Sequence, residues 1–236
     1  MAAATAPERR TAIYHAQLAM GAVMADADGW QLPVHYGDVS REAARLRETV
    51  GVSDVSPIGK VRVVGGDAAQ AVSSLFPQAG DLPTGLFSEA DSPLKRGGKL
   101  LAARLAPDEF LVLTPAGVAP LAVDAIHSGP SNCAYAIDVT SGLCGVAIVG
   151  PATQNMMSRI TETDTSPRAL PDLACIQSRF ADVQGLLLRR DVDDIGMYQL
   201  YASREFGEYL WQVLIEAAHE VGGGPVGTEA LLGLRS

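Results

Sequence analysis

Cysteine and histidine are scarce in this sequence, and the few that occur are scattered. The three cysteines, Cys133, Cys144 and Cys175, lie far apart, and no CxxC pair or Cys/His group has the local spacing of a zinc site. The four histidines form no cluster either. These absences exclude a disulfide scaffold and a metal site encoded by local spacing. We therefore predict buried free thiols in a reducing compartment and no bound metal.

The chain also lacks a basic surplus and a long apolar run. Its 27 acidic residues outnumber its 18 basic ones, which gives a net charge of −9. Nucleic acids and anionic membranes bind basic surfaces, so neither is predicted as a partner. No stretch approaches the roughly 20 apolar residues of a membrane helix, and the N-terminus has no apolar signal-peptide core. The predicted compartment is the cytoplasm.

What is present is an ordinary globular composition with alternating strand and helix patterns. Of the 236 residues, 47% are hydrophobic and 19% are charged, which is enough apolar surface for a substantial core. Near the N-terminus, helical spacing predicts a helix over residues 11–25 and an extended segment over 30–36. A polar helix follows over residues 41–50, with Ser40 as its N-cap.

The rest of the chain is predicted to alternate between strands and helices. Strands are expected at residues 60–64, 100–105, 109–114, 134–139, 143–149, 183–190 and 197–202. Helices are expected at residues 67–76, 118–127, 152–160 and 204–221, and residues 162–174 are expected to form a loop.

An internal repeat organises these elements. The segment from Asp54 to Ala68 resembles the segment from Asp138 to Ala152, because each has an Asp-Val-[Ser/Thr] start, a β-rich run, a glycine and an alanine-rich continuation. Short β-α units also resemble one another by chance. The repeat predicts an α+β fold, a single domain over residues 1–236 with two ferredoxin-like halves, about 26–130 and 131–236, and an N-terminal helical arm. Strands 60–64 and 143–149 should then be equivalent.

Several segments, in order along the chain, resemble the glycine-cleavage T-protein (aminomethyltransferase) family. Residues 30–36, W-Q-L-P-V-H-Y, are similar to its G-W-x-M-P-V-x-Y segment, and residues 50–60, V-G-V-S-D-V-S-P-I-G-K, to V-G-x-x-D-V-S-H-M-G-K. Residues 138–151 look like a second D-x-T repeat ending in G-P. Residues 189–200 stand in the place of R-T-G-Y-T-G-E-D-G-Y-E-I, and residues 225–235 resemble P-x-G-L-x-A-R-D-x-L-R. The resemblance covers nearly the whole chain.

This resemblance implies a fold, a cofactor and a chemistry. Tetrahydrofolate would lie in a central channel, with its pterin held by a buried acid and its glutamate tail near arginines. The implied activity is transfer of an aminomethyl or methyl group from an amine or methyl donor to tetrahydrofolate. Carried over onto this sequence, the cofactor-binding residues are Arg235, Gln199, Tyr198 and Arg189. Arg235 would bind the folate carboxylate and Gln199 the pterin, although a surface arginine and an ordinary strand glutamine remain alternatives.

The sequence departs from the family where the acids are expected. The G-G-I-L-D-D-L segment reads G-G-K-L-L-A-A at residues 97–103, and the acid of Y-E-I is replaced by Gln199. No catalytic residue is assigned, and whether the chain is itself an enzyme stays open. These departures resemble another branch of the superfamily, the γ subunit of heterotetrameric sarcosine oxidase. The alternative function is therefore a noncatalytic structural subunit of a flavin-dependent amine oxidase or demethylase complex.

A prediction about assembly follows from the same resemblance. A full T-protein continues into a third, barrel-like domain where this sequence stops at Ser236, so the channel is expected to be open on one side. Leu231, Leu232 and Leu234, with the arm at residues 13–24, are expected to form an exposed apolar patch. We therefore predict a homo-oligomer or a partner subunit. The alternative is a monomer whose terminal leucines fold into its own core.

Overall fold

The computed structural model describes residues 9–95, 97–129, 131 and 133–234. Its N-terminal arm is a small sheet with one helix, and its elements are β1 (Arg9–Arg10), α1 (Tyr14–Ala19), β2 (Val23–Ala27) and β3 (Trp30–His35). The strand order is β1-β3-β2. The extended segment predicted at residues 30–36 is confirmed.

The single helix predicted over residues 11–25 is wrong in its second part. The chain turns at Gly21, whose φ is +81°, and then enters β2 instead of continuing the helix. Asp28 and Gly29 have φ values of +53° and +79° and join β2 to β3 in a tight hairpin. Positive φ at both central positions is the geometry that Asp-Gly favours in two-residue hairpins.

The first main sheet has five strands in the order β6-β7-β8-β5-β9. It is preceded by α2 (Val39–Glu48) and β4 (Gly51–Asp54), and its own elements are β5 (Gly59–Val64), α3 (Ala68–Val72), β6 (Phe87–Asp91), β7 (Lys99–Ala106), β8 (Glu109–Thr114), α4 (Ala119–His127) and β9 (Tyr135–Asp138). The N-cap of α2 is Asp38 and not the predicted Ser40, because the Asp38 carboxylate accepts hydrogen bonds from the backbone N–H groups of Ser40 and Arg41.

The second main sheet has six strands in the order β11-β12-β13-β10-β4-β14. Its elements are β10 (Leu143–Val149), α5 (Thr153–Met157), β11 (Cys175–Phe180), β12 (Val183–Arg189), β13 (Met197–Ser203), α6 (Gly207–Glu220), β14 (Gly224–Pro225) and α7 (Thr228–Leu232). The α+β class is confirmed, and β10 begins and ends where the sequence pattern predicts.

The two sheets have matching topologies and exchange one strand each. In the first, β9-β5-β8-β7 follows the ferredoxin-like order with β6 added at the edge. In the second, β4-β10-β13-β12 does the same, with β11 added at one edge and the two-residue strand β14 at the other. Val61 lies opposite Asp138, and Val146 lies opposite Asp54, so the two strands predicted to be equivalent have equivalent neighbours. The division at about residue 130 stays a prediction for domains, but β4 and β9 each pair across it.

The sheets face each other, and the helices cover their outer sides. Leu111 and Leu113 of β8 pack with Leu186 and Leu188 of β12 between the sheets, while α3 and α4 pack on one outer face and α5 and α6 on the other. The predicted apolar patch at the C-terminus is wrong in its main part. Leu231 and Leu234 are buried in a cluster that contains Leu46 of α2, and within that leucine group Leu232 is the exposed member.

Candidate functional site

A cleft of about 450 Å³ opens between the two sheets. Its apolar walls include Ile58, Leu101 of β7 and Leu113 of β8. Its polar groups include Gln199 of β13 and, towards the rim, Glu89 and Lys99. A concave space with apolar walls and a few placed polar groups is typical of small-molecule sites.

Alternation along β13 decides which side chains reach this space. Successive residues of a strand point to opposite faces. Tyr198 and Leu200 therefore join the core under α6, whereas Tyr201 joins the core between the sheets and Gln199 lines the cleft.

Gln199 is held by the neighbouring residue on its own face of the strand. It is 6% exposed, and its Oε1 accepts a hydrogen bond from the Tyr201 hydroxyl at 3.0 Å. The ammonium of Lys60 lies 5.4 Å from the centre of the Tyr201 ring. Gln199 thus sits in a small buried network that fixes its side chain.

Lys60 is fully buried, yet its ammonium is hydrogen-bonded. Nζ donates to the carbonyl oxygens of Ser56 at 2.7 Å and Ile58 at 2.9 Å. Burial lowers the pKa of Lys60 to about 8, and the charge of Asp54 opposes that shift. The lysine therefore ties the segment between β4 and β5, which carries Ile58, to the base of the cleft.

Asp54 links the second sheet to the N-terminal arm. Its carboxylate accepts hydrogen bonds from the Ser56 N–H at 2.9 Å and from Gln17 Nε2 of α1 at 3.1 Å. Burial raises the pKa of Asp54 above its usual range, and the hydrogen bonds from Ser56 and Gln17 partly offset this. The geometry gives Asp54 a role in joining elements, consistent with its place at the start of the repeat.

An ion pair connects the two sheets at the cleft. Arg190 Nε lies 2.8 Å from Glu89 Oε2, and Arg190 Nη2 donates to Oε1 at 3.2 Å. A bidentate pair of this kind fixes both side chains. At the rim, Lys99 pairs with Asp91 at 2.9 Å, where both side chains are exposed.

The structure brings one of the four predicted cofactor residues into the cleft. Gln199 lines it, but Arg189 and Tyr198 face the helix-covered side of the sheet. Arg189 pairs with Asp191 at 2.7 Å and donates to the Leu170 carbonyl at 3.0 Å, and the Tyr198 hydroxyl donates to the Thr165 carbonyl at 2.7 Å.

Those bonds fasten the proline-containing loop at residues 162–174 to β12 and β13. Arg235 lies outside the described residues, so its predicted folate contact stays a prediction, as do direct contacts from Arg189 and Tyr198.

Sequence reasoning missed Lys60, Tyr201 and the Glu89–Arg190 pair. Tyr201 follows Gln199 by two positions, so strand periodicity places both on one face and could have identified it. Lys60 closes the D-V-S-P-I-G-K motif and could have been noted there. The ion pair joins residues that are 101 positions apart in the sequence, and no local sequence pattern predicts such a contact.

Two further clefts lie away from this site. One of about 650 Å³ is on the outer surface near Arg159, Arg179 and Tyr209, and one of about 470 Å³ opens at another part of the space between the sheets, near Leu111 and Leu186. The larger volume does not make the outer cleft the better candidate, because it lies away from the paired sheet faces and the Gln199 network.

The described residues contain no group of three or more His, Cys, Asp and Glu side chains that is placed to hold a metal ion. Among the same residues, no helix is long and apolar enough to cross a membrane. The three cysteines are free thiols. Cys144 and Cys175 are buried as predicted, and Cys133 is exposed, which corrects the prediction for that residue.

The fold is of the α+β class, with two matching sheets that exchange strands and a cleft between them that Gln199 lines. Residues 13–236 match the family model described as GCVT N-terminal domain, and the chain belongs to this family. The family resemblance seen in the sequence motifs is thereby confirmed.

Individual relatives agree with this assignment. The aminomethyltransferase of Streptomyces coelicolor is 27% identical over 224 residues, covering 93% of this chain and 60% of the relative. Sarcosine oxidase subunit alpha of Corynebacterium sp. is 27% identical over 252 residues, covering 98% of this chain and 26% of the relative. The chain therefore spans less than two thirds of these proteins.

Solved structures show the same fold. Aminomethyltransferase T of the glycine cleavage system from Bartonella henselae matches with a TM-score of 0.82 at 19% identity, covering 96% of this chain and 62% of that one. One chain of heterotetrameric sarcosine oxidase from Corynebacterium sp. U-96 matches with a TM-score of 0.62 at 18% identity, covering 90% of this chain and 96% of that one.

Proposed function

We propose that this chain binds a reduced folate in the cleft between its two sheets and serves folate-dependent one-carbon transfer, as a transferase or as the folate-binding subunit of one. The observation that carries the proposal is Gln199. It is the predicted pterin contact, and it lies buried in an inter-sheet cleft of a chain that belongs to the GCVT N-terminal domain family.

The residues of the cleft fit a flat heterocycle with polar edges. Its volume of about 450 Å³ falls in the usual range for small-molecule sites, about 300–1,000 Å³. Leu101 and Leu113 offer apolar faces for a ring system, and Gln199 offers a hydrogen bond to a ring edge. The rim residue Lys99 offers a positive charge to an acidic tail, and Arg235 stays the predicted partner of the folate carboxylate.

When bound, the reduced folate supplies the amine nitrogen that takes up the one-carbon unit. The chain's own residues position the ring and keep water from its faces. Leu101 stands where the related segment has its first aspartate, and Gln199 is uncharged, so neither takes up a proton at neutral pH. Glu89 is the carboxylate that lines the cleft, and it is engaged by Arg190. The cleft is therefore built for binding and orientation more than for proton transfer.

We further propose that the working unit is an oligomer or a complex in the cytoplasm. Tyr135 and Ile137 of the edge strand β9 are 68% and 55% exposed, whereas the equivalent strand of the second sheet, β4, is paired with β14 and contacted by α2 and α7. Exposed apolar side chains grouped on one strand are typical of contact surfaces. Light scattering on the purified chain tests this, and a monodisperse monomer with full transferase activity would contradict it.

Titration calorimetry with 5-formyltetrahydrofolate tests the proposed function on the intact chain. We expect saturable binding, together with a rise in melting temperature. At a hundredfold excess over the dissociation constant, linkage predicts about 2.7 kcal/mol of added stability.

An absence of binding at millimolar ligand would contradict the proposal. The noncatalytic subunit of an amine oxidase or demethylase complex would then be the better account, since a chain of heterotetrameric sarcosine oxidase shares the fold over most of its length.

A further inference from the structure

The Gln199 amide presents its two ends to different surroundings. Oε1 accepts the buried hydrogen bond from the Tyr201 hydroxyl, and among the described residues the Gln199 side chain makes no other hydrogen bond. The Nε2 group is left to face the cleft that Gln199 lines. We propose that Tyr201, backed by Lys60, is a positioning residue that turns Gln199 into a hydrogen-bond donor towards the ligand.

The direction of the Tyr201 bond follows from the charge beneath the ring. A phenol hydroxyl can donate or accept, and a glutamine amide can be turned to suit either. The Lys60 ammonium, 5.4 Å from the Tyr201 ring centre, withdraws electron density from the ring. A more acidic phenol is a better donor and a poorer acceptor. Donation to Oε1 is therefore favoured, and the amide Nε2 points to the cleft.

The rest of the cleft strengthens this preference for acceptors on the ligand. Lys99 is a donor, and the Glu89 carboxylate already receives two hydrogen bonds from Arg190. The Thr114 hydroxyl donates to the Pro115 carbonyl at 3.0 Å. The cleft thus favours a ligand edge that carries a carbonyl oxygen over an edge that carries an amino group.

This inference rests on the proposed folate function for its choice of ligand and adds a selectivity to it. Folic acid and aminopterin form a matched probe pair, because the pteridine position 4 carries an oxo group in the first and an amino group in the second. A buried donor facing a donor leaves both unpaired, which weakens binding by about tenfold or more. We expect the intact chain to bind folic acid at least about tenfold more tightly than aminopterin.

Three variants separate positioning from general damage. Gln199→Glu replaces the donor by an acceptor and should reverse the preference towards aminopterin. Tyr201→Phe keeps the ring over Lys60 and removes the hydroxyl, so the amide is released and the ratio of the two affinities should fall towards one. Tyr209→Phe removes a hydroxyl from the partly exposed tyrosine of the outer cleft and should leave the ratio unchanged.

A ratio that stays the same in Tyr201→Phe would overturn the positioning role. If neither compound binds, the proposed folate function fails, and a ligand-free measurement then decides the orientation alone. Nuclear Overhauser contacts between the Gln199 amide protons and the Tyr201 ring protons beside the hydroxyl should be weak if Oε1 faces the hydroxyl. Strong contacts would mean that the amide is turned the other way and would overturn the inference.

Discussion

Lys60 combines complete burial with a positive charge, and this makes the stability of the fold depend on pH. Its ammonium is held by the carbonyl oxygens of Ser56 and Ile58, while burial lowers its pKa to about 8. Asp54, Cys144 and Asp138 are the titratable groups that act on it. The Lys60 ammonium also lies against the Tyr201 ring beneath the cleft. Lys60 therefore contributes to packing and, in the proposal above, to the orientation of Gln199.

The sign of this dependence can be tested. An unfolded lysine keeps its proton up to about pH 10.4, so between pH 8 and that value the unfolded chain binds more protons than the folded one. The free energy of unfolding should therefore rise with pH across this window because of Lys60, by at most about 3 kcal/mol. Urea unfolding of the wild type and Lys60→Met at several pH values from 7 to 10 measures it.

The Lys60→Met chain should be less stable at neutral pH, since two carbonyl oxygens lose their donor. Its free energy of unfolding should not show the rise above pH 8 that Lys60 gives the wild type. If the free energy of unfolding changed with pH in the same way in both chains, Lys60 would have an ordinary pKa and the prediction would be wrong.

At the scale of single residues, the sequence identified one residue that lines the cleft, Gln199, and little of what surrounds it. Gln199 was identified because it replaces an acid in a known motif. Tyr201 and Lys60 were not, because their roles come from a ring and a charge that meet only when β5 and β13 face the same interior. Arg189 and Tyr198 belong to the same motif as Gln199, but they lie on the helix-covered face of the second sheet, whereas Gln199 lies on the face that lines the cleft.

At the scale of elements, two glycines make the strand exchange possible. Gly65 and Gly150 end β5 and β10 with φ values of +130° and +139°. A Cβ at Gly65 would overlap the carbonyl oxygen of Cys133, just before β9, and a Cβ at Gly150 would overlap that of Thr49, just before β4. Each glycine thus lets the strand that crosses over from the other half approach closely.

Alanine substitutions test this equivalence. Gly65→Ala and Gly150→Ala should each lower the free energy of unfolding by about 3 kcal/mol or more, from backbone strain plus overlap. Gly37→Ala is a matched control, since Gly37 has a φ of +128° with no atom within 4 Å of the added Cβ. It should cost only the strain, about 1 kcal/mol. Equal losses in all three variants, measured by denaturant unfolding, would contradict a close approach at the two crossings.

The long interior strands were predicted well, whereas the edge strands β6 and β11 and the short strand β4 were missed; the edge strand β9 was predicted at residues 134–139. The apolar runs of β10 and β13 are unambiguous because both strands are buried by neighbours on either side. The missed strands β6 and β11 are sheet edges with mixed polar sequences, and β4 is a four-residue strand beside a helix end. An edge strand needs no continuous apolar pattern, so periodicity gives little signal there.

At the scale of the whole molecule, the internal repeat produces two facing sheets and the space between them. Their matching order was visible in the sequence as a repeated Asp-Val-[Ser/Thr] segment. The exchange of β4 and β9 between the two halves could not be predicted, because a sequence repeat shows that two segments are similar but does not show which sheet each strand joins. The covered C-terminal leucines follow from the same exchange, since α2 and α7 pack against each other and both contact β4.

The central claim is that a folate binds between the sheets beside Gln199, and a pair of variants on one strand tests its location. Leu101 and Leu105 both lie on β7, and the first lines the cleft with Gln199 while the second lines the other inter-sheet cleft. Calorimetric titration of 5-formyltetrahydrofolate into Leu101→Trp should show affinity lower by at least about tenfold, because the indole fills the cleft. Leu105→Trp should bind like the wild type. Loss of binding in Leu105→Trp with unchanged binding in Leu101→Trp would contradict the account.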